Sequence, residues 1–177
     1  MYKINELLKL EQKLFHTNDL ALIWGIDNKN TLYTGIKRYI QKGILIRVQK
    51  GLYSTIPIDQ LDSVRLGISL IHGFAYLSTE SVLAQEGVIS QAVFAITLVG
   101  SISKRFEVGG YHFICRRLKD KLLYRTAGIE QKDDVFIAKI ERAAADILYF
   151  DPKYHFDNLS KIGRTKVRQI QKEVGYI

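Results

Sequence analysis

The residues whose types and spacing could do chemistry lie between positions 29 and 50. If a helix runs from about 30 to 42, Leu32, Ile36, Tyr39 and Ile40 recur at three-or-four spacing and face a core. Tyr33, Thr34, Lys37, Arg38 and Gln41 then face outward, and that face holds cations, hydroxyls and an amide but no acid. A solvated helix face ordinarily mixes signs through Glu–Lys pairs. Cations and hydroxyls without acids suit phosphate oxygens and the edges of bases. Gly43 stops the helix. Segments 44–49 and 52–56 alternate apolar and polar around Lys50-Gly51, the pattern of a short hairpin with glycine at its tip. Arg47, Gln49 and Lys50 are exposed in this reading. With Lys29 and Thr31 they complete the set expected to meet double-stranded DNA. A helix and hairpin of this kind also serve protein contacts in some folds, and that second reading stays open.

The other chemistry-bearing residues point away from catalysis. Glu80, Glu141 and Asp146 could be read as a carboxylate cluster, yet no Ser, His or Cys stands at nucleophile spacing with them. Glu80 opens a helix, where an acid complements the dipole. Arg142 and Asp146 are four apart and can pair on one helix. The histidines at 16, 72, 112 and 155 form no HxH or HxxxH pair, so no metal site is expected, and no cofactor either. Gly109-Gly110 reads as a hairpin turn, because no helix with a Lys-Ser or Lys-Thr pair follows it. The single cysteine, Cys115, excludes an internal disulfide and sits on an alternating stretch as packing.

The elements that must position these residues follow from periodicity. Segment 3–14 reads as an amphipathic helix. Segment 19–24 reads as a second one, capped by Thr17 or Asn18 and ended by Gly25, with a joint at 27–30 before the outward-facing helix. Two helices, a tight joint and a hairpin make a winged helix-turn-helix over residues 1–58. Pro57 and the polar Asp59-Gln60 mark a boundary. The region 59–177 reads as an α+β domain with a small, mainly antiparallel sheet. Helices are expected at 61–72, 76–86 and 135–150, strands at 94–99, 104–108 and 111–117, and a further strand at 122–126. The tail 157–175 reads as a basic helix, or two short ones broken at Gly163.

Charge follows the same division. The net charge is +8. Residues 1–58 hold 9 Lys/Arg against 4 Asp/Glu, residues 59–156 hold 12 of each, and residues 157–177 hold 5 against 2. Basic ends around a neutral middle suit a polyanion partner for the ends and a separately packed domain between them. Lys104, Arg105, Arg116, Arg117, Lys119, Lys161, Arg164, Lys166 and Arg168 form a possible second basic surface. As read from the sequence, this surface extends a DNA contact, binds RNA or an acidic partner, or is a solvated loop balanced by Asp120. No apolar run approaches the roughly 20 residues of a membrane span, and the N-terminus has no signal-peptide core. A cytoplasmic protein, monomeric or weakly dimeric, is expected.

The run from Thr17 to Thr55 resembles the winged-helix domain of the AbiEi antitoxins. Gly43-Ile44-Leu45-Ile46-Arg47-Val48-Gln49-Lys50-Gly51-Leu52-Tyr53 matches that family's GxxxRVxKGLY wing. Tyr76-Leu77-Ser78-Thr79-Glu80-Ser81-Val82-Leu83 is similar to its YxSxESAL segment, and the stretch from Phe136 to Tyr149 to its xIAxPEKALLDLLY helix. Ile140 stands where the family has proline and Lys139 where it has a small residue, and the chain reads as short for the family. The resemblance implies a type IV toxin–antitoxin system of an abortive-infection, phage-defence operon. The first domain would bind operator DNA at its own promoter and repress it. The second would counter a nucleotidyltransferase-like toxin without a stable complex. The alternative is a stand-alone winged-helix regulator whose second domain binds a protein or ligand.

Overall fold

The computed structural model describes residues 4–177, so Lys3, the expected start of the first helix, lies outside the described residues. The chain divides into two compact units, Met1–Asp62 and Ser63–Ile177. Each unit mixes helices with a sheet, an α+β architecture. No described helix is long and apolar enough to cross a membrane.

In the first unit, helix α1 (Ile4–Lys9) is followed by strand β1 (Leu14–His16). Helix α2 spans Thr17–Trp24, helix α3 Lys29–Gln41, strand β2 Ile46–Gln49 and strand β3 Leu52–Ser54. A 3-10 turn at Ile58–Gln60 belongs to this unit, so the division lies just beyond the expected Pro57 boundary. The strands form a three-stranded antiparallel sheet in the order β1-β3-β2. β1 differs from the expected long first helix. Leu14 and Phe15 lie opposite Ser54 and Tyr53, and both are buried. The expected helix ended at 14, and its last residue, Leu14, instead opens a strand too short to show its own period. The core of the unit gathers Leu7, Phe15, Leu20, Trp24, Leu32, Ile36, Tyr39, Leu45 and Tyr53, with the Trp24 and Tyr39 rings 5.3 Å apart.

The second unit holds helices α4 (Ser63–Ser69), α5 (Glu80–Gln85), α6 (Asp120–Leu123), α7 (Ile140–Phe150) and α8 (Arg164–Val174). Its strands are β4 (Ala75–Leu77), β5 (Ala95–Gly100), β6 (Lys104–Val108), β7 (Tyr111–Arg117), β8 (Ile129–Lys132) and β9 (Val135–Ala138). They form one six-stranded sheet in the order β6-β7-β5-β4-β9-β8. Pairs β5–β7 and β4–β9 are parallel and the rest antiparallel, so the sheet is larger and more mixed than expected. Three sequence expectations give way here. Ala75–Leu77 is a strand rather than the start of a helix, and Val135–Ala138 is a strand ahead of α7. Residues 122–126 form no strand, because Leu122 and Leu123 belong to α6. Each of these strands is only three or four residues long, too short for its period to be told from that of the helix that follows.

Alternation along the strands assigns the two sheet faces. Leu98 and Phe113 lie against Gly67 of α4, where an added Cβ would come within 2.6 Å of the Phe113 ring. Tyr76 and Ser78 point to the opposite face, toward α7. There Asp146, fully buried, accepts hydrogen bonds from Tyr76 Oη at 2.9 Å and Ser78 Oγ at 2.7 Å on one oxygen. Its other oxygen accepts from Arg142 Nε at 2.7 Å and Tyr176 Oη at 2.5 Å. Arg142, also fully buried, donates onward to the carbonyls of Arg125 and Ala127 and to Tyr76 Oη. Burial is the largest influence raising both tyrosine pKa values, with Asp146 adding to it, so both hydroxyls stay protonated as donors. Removing one partner of a buried pair strands the other charge. Asp146→Ala is therefore expected to destabilise the second unit by about 3–5 kcal/mol in denaturant unfolding.

A second ion pair crosses from sheet to helix. Arg116 of β7 donates to both carboxylate oxygens of Glu80, the first residue of α5, and to Thr79 Oγ1 at 3.0 Å. Thr79 sits at φ 54°, a left-handed position at the strand-to-helix turn. Burial pushes the Glu80 carboxyl up, but the bonds from Arg116 outweigh it and leave the pKa below the ordinary carboxylate value. A carboxyl depressed on folding adds stability above its unfolded pKa and loses it as pH falls through the folded value. Glu80→Gln is expected to flatten the loss of melting temperature between about pH 5 and about pH 2.

A candidate nucleic-acid interface

Helix α3 owes its start to Asn28, whose side-chain oxygen accepts from the Thr31 N–H at 3.0 Å. Leu32, Gly35, Ile36 and Tyr39 are buried along one side. Lys29, Thr31, Tyr33, Thr34, Lys37, Arg38 and Gln41 are exposed along the other, and Tyr33 keeps 53% of its surface in solvent. The outward face read from periodicity is the face the packing leaves open. Two hydroxyls on it are engaged locally. Thr31 Oγ1 bonds Asn28 at 3.3 Å and Thr34 Oγ1 donates to the Asn30 carbonyl at 2.8 Å, so Thr34 offers an acceptor outward rather than a donor.

The β2–β3 hairpin lies beside this face. Tyr33, Ile36, Lys37, Ile40 and Gln41 of α3 line a depression of about 500 Å³ with Arg47 and Tyr53 of the hairpin. The pairing of β2 with β3 slips between Arg47 and Gln49, a bulge that increases local twist. Gly51 takes φ 85° at the tip, and its carbonyl accepts from the Thr17 N–H at 3.0 Å, anchoring the turn to the start of α2. Arg47 and Lys50 are exposed and Gln49 is half-buried. Among the described residues, Lys29, Lys37, Arg38, Arg47 and Lys50 have no hydrogen-bond or ion-pair partner. Five uncommitted cations thus lie on α3 and the hairpin, and two of them, Lys37 and Arg47, line the depression.

The second basic set is not gathered in this way. Arg116 is held by Glu80, Lys161 donates to the Glu86 carbonyl at 2.8 Å, and Lys166 lies 3.9 Å from Glu141. Lys104 and Arg105 are adjacent on β6, as are Arg116 and Arg117 on β7, so each pair splits between the two sheet faces. Lys119 is exposed at the start of α6. Arg164 and Arg168 stand one turn apart on α8. The strand period therefore sets Lys104 apart from Arg105 and Arg116 apart from Arg117. The three carboxylates weighed as a catalytic cluster are also apart in role: Glu80 faces Arg116, Glu141 faces Lys166, and Asp146 faces Arg142. Burial pushes the Cys115 thiol up to about 11, which leaves it protonated and unreactive at neutral pH.

The Asp146 network was only partly visible beforehand. The Arg142–Asp146 spacing announced a pair, but Tyr76, Ser78 and Tyr176 come from distant segments. The signal for them was an arginine and an aspartate inside an otherwise apolar helix, which must find polar partners.

No family model matches the chain, and no curated protein matches it. Among solved structures, the chain is similar to the crystal structure of the RV2827C protein from Mycobacterium tuberculosis, with a TM-score of 0.55 and 11% sequence identity. The likeness covers 96% of this chain and 69% of that one. At this identity it speaks to the fold alone.

The positive face depends on α3 starting where it does. Asn28→Ala removes the cap and is expected to lower stability by about 1 kcal/mol. For a unit of this size that is a fall of roughly 4–8 °C in its thermal transition.

Proposed function

We propose that the first unit is a winged helix-turn-helix that binds double-stranded DNA, with α3 in the major groove and the β2–β3 hairpin as its wing. The observation that carries this reading is the acid-free exposed face of α3, continued across one groove by Arg47, with Lys50 exposed at the hairpin tip. Tyr33, Thr34, Lys37 and Arg38 stand where a recognition helix meets base edges. Lys29, Arg47 and Lys50 hold backbone phosphates, which position the helix without reading sequence. The engaged hydroxyl of Thr34 suits it to accept from an exocyclic amine.

With this assignment, the resemblance to AbiEi antitoxins gives the chain its biological setting. The protein represses its own promoter and serves as the antitoxin of a type IV toxin–antitoxin, abortive-infection system in the cytoplasm. Its second unit counters a nucleotidyltransferase-like toxin without forming a stable complex. It is a binding protein rather than an enzyme. The order of three motifs, the Gly43–Tyr53 wing, the Tyr76–Leu83 junction and the Phe136–Tyr149 segment, supports this over a stand-alone regulator.

The DNA assignment is tested on the full chain with its own promoter. Replacing both Lys37 and Arg38 by Ala should weaken specific binding by roughly tenfold or more, at about 1–3 kcal/mol for a base contact. Replacing Arg47 and Lys50 instead removes two phosphate contacts, and the slope of log affinity against log salt should then fall by about two, at about 0.9 per contact. Unchanged specific affinity in the Lys37 and Arg38 variant would reject α3 as the reading helix, and an unchanged slope in the Arg47 and Lys50 variant would reject the hairpin as the wing. The antitoxin assignment is tested separately, by growth rescue on co-expression with a neighbouring nucleotidyltransferase gene.

A further inference from the structure

The second unit contains a cavity that neither the DNA face nor the Asp146 network uses. It measures about 320 Å³. Its floor is Ala144 and Leu148 of α7, and its walls are Phe156, Ile162 and Val167, each at most 8% exposed. Leu159, 43% exposed, brings one side of it to solvent. The volume equals about ten water molecules at roughly 30 Å³ each. Water there would find few polar partners, so the space suits an apolar body.

The polar lining is of one kind. Arg164 and Arg168, one helical turn apart on α8, border the cavity with Gln171. Neither guanidinium has an ion-pair or hydrogen-bond partner among the described residues. No acid lines the space. The acids around α8 are engaged elsewhere: Asp157 accepts from the Ser90 N–H at 2.6 Å, Glu141 lies 3.9 Å from Lys166, and Glu173 accepts from Gln169 at 2.8 Å. An apolar chamber edged by two uncommitted guanidiniums lacks one thing, an anion joined to a hydrocarbon. Arginine meets a carboxylate through two parallel N–H bonds, and two arginines one turn apart can share its oxygens.

We propose that this cavity binds an amphipathic monocarboxylate, with a chain of roughly eight to ten carbons inside and its carboxylate on Arg164 and Arg168. The site lies wholly within Ser63–Ile177 and does not rest on the DNA reading. Recognition divides between the two parts of the ligand. Burial of the chain supplies affinity, and the guanidiniums select a carboxylate over a neutral head group.

Decanoate titrated calorimetrically into the full-length protein at low salt tests this. Saturable one-to-one binding is expected, with decanol and acetate each binding at least tenfold more weakly. Arg164→Ala combined with Arg168→Ala should weaken decanoate binding at least tenfold, in a protein whose circular dichroism and melting are unchanged. Leu159→Trp, a partly exposed position, should block the cavity and abolish binding. Absence of saturable binding to the wild-type chain overturns the proposal. So does decanol binding as tightly as decanoate, which would make the cavity a plain apolar pocket. Undiminished binding in both variants would place the ligand elsewhere and overturn it equally. A chain that ignores decanoate but self-associates, and loses that association in Leu159→Trp, would assign the face to a second copy instead.

Discussion

The second unit is arranged around a charge that has been taken out of water. Asp146 and Arg142 are both fully buried on α7, and transfer of such a pair from water costs several kcal/mol per ion before any partner is met. The fold meets that cost by bringing hydrogen bonds from every side. Tyr76 and Ser78 arrive from β4, Tyr176 from the segment after α8, and two carbonyls from the stretch between α6 and β8. An apolar side chain at Asp146 would fill the same space with no directional demand. A carboxylate with four donors accepts one arrangement of its neighbours and rejects others, and here that arrangement docks α7 on the sheet. The parallel β4–β9 pair needs such a lock, since its register rests on a single partnership, Leu77 with Ile137.

The first unit follows a different logic. Its core is apolar and aromatic, and the cations Lys29, Lys37, Arg38, Arg47 and Lys50 are left exposed or uncommitted around it. Cations held beside one another without counter-charges repel, so such a face is retained against a small electrostatic cost. The same helix that buries Leu32, Ile36 and Tyr39 presents Lys37 and Arg38, so packing and presentation are set by one periodicity. The bulge in β2 and the left-handed Gly51 aim the hairpin beside that helix. One unit thus closes an ion pair inward, and the other leaves a set of cations open.

How much of this was legible in the sequence depended on how far each feature reached along the chain. The face of α3 was readable, because 3.6-residue periodicity and burial obey the same geometry. Strands β6 and β7 were placed at their observed ends, because clear alternation surrounds a two-glycine turn. The short strands β1, β4 and β9 were misread as helix, since three or four apolar residues cannot declare a period. In the second unit, neighbouring cations such as Arg116 and Arg117 are sent to opposite faces of a strand, which adjacency in sequence does not show. Arg116 shows the further limit, since its partner Glu80 is 36 positions away and no local pattern couples them. The Asp146 network was half legible, as a spacing within one helix, and the half that was missed lay in the tertiary fold. The cavity beside α8 was beyond reach, for it depends on the turn between two helices.

The single partnership between β4 and β9 has one more consequence, and it concerns length. Leu77 and Ile137 close a loop of about sixty residues that contains β5, β6, β7 and β8. The entropy of closing a loop rises only with the logarithm of its length, so doubling it costs about 0.6 kcal/mol. Added residues at the exposed Gly109-Gly110 turn therefore leave the seam between β4 and β9 almost untouched in free energy. Such a molecule can lengthen at the periphery of its sheet across evolutionary time while its centre stays pinned by one carboxylate.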